Sequence, residues 1–165
     1  MRVERGSVVL VDTNVILESH RVKIWNHLTA YFSFETDSEC VVECRTGNQT
    51  RDVPIPIDID ALQSDVAVHD LASTDLMDFR LRLGAEPSLD PCEERLVAAA
   101  LIRQDVWLLC SPDKAAVRAC HMLGLLDRIV ALEDLTIAAG IRARLWDNFT
   151  CDWLSNFRTN LLLDL

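Results

Sequence analysis

At 165 residues, half of them hydrophobic and with only five Gly and five Pro, the chain has apolar material for one folded domain, which excludes a disordered or low-complexity protein. A formal net charge of -10 excludes a surface that grips nucleic acid by bulk electrostatics, although a cluster of metal-binding carboxylates would itself add negative charge. Cys40, Cys44, Cys92, Cys110, Cys120 and Cys151 form no CxxC pair, and the apolar run in "MRVERGSVVLVD" is too short for a signal peptide or a membrane span. These features predict reduced thiols in a cytoplasmic protein.

In chain order, residues 7–11 predict a buried strand and residues 15–30 a helix carrying Ile16, Leu17, Ile24, Trp25 and Leu28. "YFSFET" (31–36) predicts a second strand. Asp37 or Ser38 then suits the cap of a helix through "ECVVECRT", with Gly47 as its stop. After the Pro-punctuated "DVPIPIDID", helices are expected over 58–71 and 74–83. Residues 53–90 hold eight acids against two arginines, a net -6 that suits a solvated face or a basic protein partner.

"LDPCEERLVAAALIRQ" (89–104) is the clearest helix. Asp90 fits the N-cap, Pro91 the first helical position and Glu93 the capping box, and the apolar run from Leu96 to Ile102 predicts burial on most sides. "VWLLC" (106–110) and "RIVAL" (128–132) predict two more strands. A helix capped by Ser111 lies between them, and a short helix and a C-terminal helix follow. In the tail, Trp146, Phe149, Trp153 and Phe157 fall on one helical stripe, which suits either this domain's core or a homodimer or partner contact. Short apolar strands alternating with helices predict one domain, a three-layer α/β/α fold on a mainly parallel sheet, with residues 141–165 as a helical extension.

Open parallel sheets build sites beyond the carboxyl ends of their strands. Asp12 follows the first strand there, and Asp113 lies just past "VWLLC". Glu94 stands in the first turn of a buried helix, where a carboxylate is costly without a positive partner. Glu43 lies on the helix after the second strand, one turn beyond Glu39.

The segments "VVLVDTNVIL", "VVECRTG", "DPCEERLVAAA" and "VWLLCSPDKAAVRACHMLGL", in that order over residues 7–135, resemble the PIN-domain nucleases, a family that includes the toxin nucleases of bacterial toxin–antitoxin pairs. Asp12, Thr13 and Asn14 match the family's Asp-Thr/Ser-Asn/Ser after the first strand, and Glu43 its helical glutamate. Glu94 before "RLVAAA" matches its third acid, with Glu93 one residue away, and Ser111 and Asp113 match its Thr/Ser-x-Asp. The resemblance implies a metal-dependent ribonuclease that hydrolyses RNA phosphodiester bonds. Asp12, Glu43, Glu94 and Asp113 would be the catalytic acids, with Asp12, Glu94 and Asp113 as metal ligands and Asn14 and Ser111 supporting them. Hard oxygen donors without an organised His or Cys set point to Mg²⁺ or Mn²⁺. Arg45, Arg51 and Lys114 lie close enough in sequence to contact phosphates, and an antitoxin is the implied protein partner. The alternative is a PIN-like protein- or RNA-binding module without catalysis. A haloacid-dehalogenase-like phosphatase ranks lower, because Asn14 stands where a second Asp is needed, and no Gly-rich turn supports dinucleotide binding.

Overall fold

The centre of the molecule is strand β1 (Val8–Val11), paired on both sides in a five-stranded, wholly parallel sheet. The computed structural model describes residues 2–46 and 54–163; the predicted helix stop at Gly47 and the phosphate contact at Arg51 lie outside them. The elements run β1, α1 (Thr13–Arg21), α2 (Trp25–Thr29), β2 (Ser33–Asp37), α3 (Ser38–Thr46), α4 (Ile59–Asp65), β3 (Ala67–His69) and α5 (Ser73–Leu83). They continue with α6 (Pro91–Ile102), β4 (Leu108–Cys110), α7 (Lys114–Met122), β5 (Ile129–Val130), α8 (Leu132–Ala138) and α9 (Cys151–Leu163). The strand order β3-β2-β1-β4-β5 reverses direction at β1, so the topological switch point lies between β1 and β4.

The strands are apolar on both sides because both faces are covered. Val9, Val11, Leu108 and Cys110 point into a core formed with α1, α2, α4 and α8. Leu10 and Leu109 point the other way, against α5, α6, α7 and α9. This is the three-layer architecture that the alternation of apolar strands and helices predicts.

Four local expectations are corrected. The helix predicted over 15–30 is two helices. Lys23, at φ 60°, ends α1 in a Schellman turn, its N–H bonding the His20 carbonyl and that of Ile24 the Ser19 carbonyl, without the glycine that usually marks such a stop. The helix predicted over 58–71 stops at Asp65, and residues 67–69 form the edge strand β3 beside β2. Three exposed residues are too few for a strand to announce itself by alternation. The aromatic stripe of the tail is broken too: Trp146 precedes the helix and lies over Arg21, Phe149 enters the first core, and only Trp153 and Phe157 share α9. Finally, Cys40 and Cys92 are disulfide-bonded, joining α3 to α6, whereas all six cysteines were expected to be reduced. Their Cα atoms come within 4.9 Å only through tertiary packing, which no local spacing reveals.

Asp37, at the end of β2, ties the sheet to its second layer. Its buried carboxylate caps α3 through the Glu39 N–H (2.9 Å) and receives the Arg95 guanidinium of α6 at 2.6 Å. Arg95 also reaches Asp70 and the Leu71 carbonyl. Asp37→Ala should therefore lower unfolding stability by about 3 kcal/mol, since Arg95 is left without its buried partner; urea unfolding checks this. Reducing Cys40–Cys92 should cost about 2–4 kcal/mol by freeing a long loop in the unfolded chain, read by urea unfolding under reducing and oxidising conditions.

Candidate functional site

Every strand of a parallel sheet delivers its chain to the same rim, and each following helix starts there. Asp12 is the N-cap of α1, its Oδ1 accepting from the Val15 N–H at 3.0 Å. Across the switch point, the Ser111 hydroxyl donates to Asp12 Oδ2 at 2.5 Å and accepts from the Asp113 N–H. Asp113, rather than the expected Ser111, caps α7, with Oδ1 on the Ala115 N–H at 2.6 Å. Ser111 is thereby left for the site.

α6 brings the third acid. The expected capping box is present: Asp90 Oδ1 accepts from the Glu93 N–H, and Glu93 Oε2 from the Asp90 N–H. Glu93 does more than close this box, because its buried carboxyl lies close enough to Asp113 to feel its charge. Glu94 is directed elsewhere, held by Arg80 of α5 in a two-pronged contact of 2.6 and 2.7 Å. Of the two neighbouring acids that the sequence offers, Glu94 is turned to Arg80 and Glu93 toward Asp113, since one helical residue is a rotation of about 100°.

α3 brings Glu43, which accepts from the Thr13 hydroxyl at 2.5 Å. The same hydroxyl lies 3.3 Å from the Cys40 carbonyl and 3.4 Å from Cys92 Sγ. Thr13 thus joins Glu43 to the disulfide that ties α3 to α6. Its place beside Asp12 was the available sequence signal for this role. Of the two candidates on α3, Glu43 holds this position; Glu39 contributes charge nearby, as does Asp90. Asn14 is exposed, with only its backbone bonded to Asp12. Glu39, Glu43, Thr46, Pro91 and Cys92 line a groove of about 140 Å³ beside these acids.

The electrostatics follow from burial. Asp12 is 2 % exposed, and loss of hydration pushes its carboxyl from 3.8 up to about 7; the Ser111 and Val15 donors oppose the rise and the Asp113 charge adds to it. Glu93 is raised well above the ordinary carboxylate range, first by burial and then by Asp113. Glu43 is raised by burial against the Thr13 hydrogen bond. Among the described residues, no Lys or Arg is ion-paired with Asp12, Glu43, Asp90, Glu93 or Asp113.

Hard oxygen donors that lack a cation and repel one another have the chemistry of a Mg²⁺ or Mn²⁺ site. In the arrangement seen, no three His, Cys, Asp or Glu side chains among the described residues are disposed to hold a metal ion. The oxygens of Asp12 and Asp113 face Ser111 and helix N–H groups instead. The donor set therefore fits such an ion by chemistry, and side-chain rotation would be needed to gather it.

Because folding raises the Asp12 pKa, the native chain keeps a proton that the unfolded chain loses between about pH 4 and about pH 7, and stability falls as pH rises through that window. In chelator, the melting temperature of the wild type should decline across it, and Asp12→Asn should flatten the decline. Parallel pH profiles for the two proteins would contradict this assignment.

No protein-family model matches the chain, and no curated protein matches it either.

Proposed function

We propose that this rim is a divalent-metal phosphodiesterase centre and that the protein is a Mg²⁺- or Mn²⁺-dependent endoribonuclease of the PIN type. One observation carries the reading. Asp12 and Asp37 end neighbouring strands on the same rim and both are buried, yet among the described residues only Asp37 is given an arginine. Asp12 is left facing the Asp113 carboxylate, and an external cation would supply the missing charge.

Asp12, Glu93 and Asp113 would hold the ion, with Glu43 at the flank. When bound, it would neutralise charge developing on the phosphoryl oxygens and lower the pKa of the attacking water. Ser111 fixes the Asp12 carboxyl, and Thr13 fixes Glu43. Burial favours the protonated form of Glu93 while no ion is bound, so Glu93 would release that proton on taking up the cation. The net charge of -10 favours a basic antitoxin-type partner for a toxin working inside the cell. Among the described residues, no helix is long and apolar enough to cross a membrane.

The rival reading, a PIN-like binding module without catalysis, draws on the lack of a ready-made three-ligand group. Cleavage of single-stranded and structured RNA with Mn²⁺ or Mg²⁺ decides between them. Asp12→Asn and Glu93→Gln should each lower the rate by about a hundredfold or more while retaining the fold, and Glu94→Gln should stay within about threefold of wild type. Full activity in Asp12→Asn would overturn the site, and a folded wild type that never cleaves would favour the binding module.

A further inference from the structure

α7 starts one residue after the rim acid Asp113 and presents Lys114 and Arg118 to solvent, four residues apart on one face. α9 lies against that face. The Phe157 ring centroid is 5.8 Å from Lys114 Nζ and 5.5 Å from Arg118 Cζ. Trp153 stacks beside Phe157, with centroids 5.6 Å apart and planes 14° from parallel. Trp153 also borders, with Ser111, a closed crevice that has no room for a water molecule, and the Ser111 hydroxyl binds Asp12. The start of α7 therefore sets two half-buried aromatic rings flanked by two cations next to the Asp113 end of the rim.

Neither cation has a carboxylate ion-pair partner among the described residues, whereas Arg80, Arg95 and Arg103 are all so paired. In a chain of net charge -10, two such cations beside stacked rings at the edge of an acidic rim suit an anionic ligand with flat apolar faces. Single-stranded nucleic acid offers both, since its bases stack on aromatic rings and its phosphates take the cations. We propose that Lys114, Arg118, Trp153 and Phe157 form a platform that holds a single-stranded RNA segment leading to the Asp12 rim. The choice of RNA rests on the nuclease reading; the platform rests on the α7–α9 geometry.

The test is anisotropy of a labelled oligouridylate in chelator, where metal-dependent cleavage is silent, across a salt series. The wild type should bind it more tightly than a duplex of the same length. Lys114→Ala with Arg118→Ala should weaken binding about tenfold and reduce the salt slope by about 1.4, about 0.7 per lost phosphate contact. Phe157→Leu should weaken binding about fivefold at an unchanged slope, and Phe157→Tyr should keep it. Lys23→Ala with Arg82→Ala, the same change in net charge at other exposed positions, should have no effect.

A wild type that does not bind, a preference for duplex, or equal losses in both double variants would overturn the platform. The surface double variant keeps the test decisive if Phe157→Leu does not fold. A protein that binds through these residues but never cleaves would retain the platform and lose the nuclease reading. Cleavage with KM and Kd unaltered in the Lys114/Arg118 variant would do the reverse.

Discussion

A buried carboxyl with no cation beside it among the described residues, at the switch point of a parallel sheet, is the constraint around which this molecule is arranged. Asp12 is surrounded by groups that hold it in place, while burial and the Asp113 charge oppose its ionisation. Its neighbour Asp37 shows that the same fold can neutralise such a group, because Arg95 comes across from α6 to do so. One rim therefore contains both an aspartate used as an internal tie and one kept electrostatically open. Open carboxyls at a strand end are costly to folding, and a functional role is the most economical reason to retain one.

The topology makes this cluster possible. With all strands parallel, β1, β2 and β4 end on one side, and α1, α3 and α7 begin there. The positive ends of these helices and of α6 offset part of the negative charge, and acids serve as their caps. Asp12 and Asp113 thus each have a structural duty as well as a place in the cluster. Glu93 does too, bonding the Asp90 N–H with one oxygen while its carboxyl meets Asp113. Thr13 and the Cys40–Cys92 bond link the helices that bring Glu43 and Glu93, so the spacing of those two acids depends on the packing of α3 against α6.

The two sides of the rim differ in charge and in exposed chemistry. Around α3 and α6 the surface is acidic. Beyond Asp113 it changes to two cations and two aromatic rings on α7 and α9. The net charge of the chain hides this local reversal, because electrostatic recognition depends on where charges stand as well as on their sum.

The amino-acid sequence by itself determined the layered parallel architecture, since unbroken apolar strands such as Val8–Val11 tolerate burial on both faces and little else. It also determined the start of α6, where Asp90, Pro91 and Glu93 make a local pattern whose partners lie within one turn. Asp12 and Asp113 were legible as candidates because strand ends in such a sheet fall on a common rim, whereas Ser111 entered only through the motif resemblance. Tertiary structure alone decided the rest. Whether Glu93 or Glu94 faces the rim depends on how α6 is rotated against its neighbours, and its capping pattern is compatible with either. The turn at Lys23, the edge strand at 67–69 and the Cys40–Cys92 bond likewise depend on long-range or backbone terms with little local signature. The absence of a cation beside Asp12 is a fact about space among the described residues, decided only when the chain had placed Arg80 on Glu94 and Arg95 on Asp37.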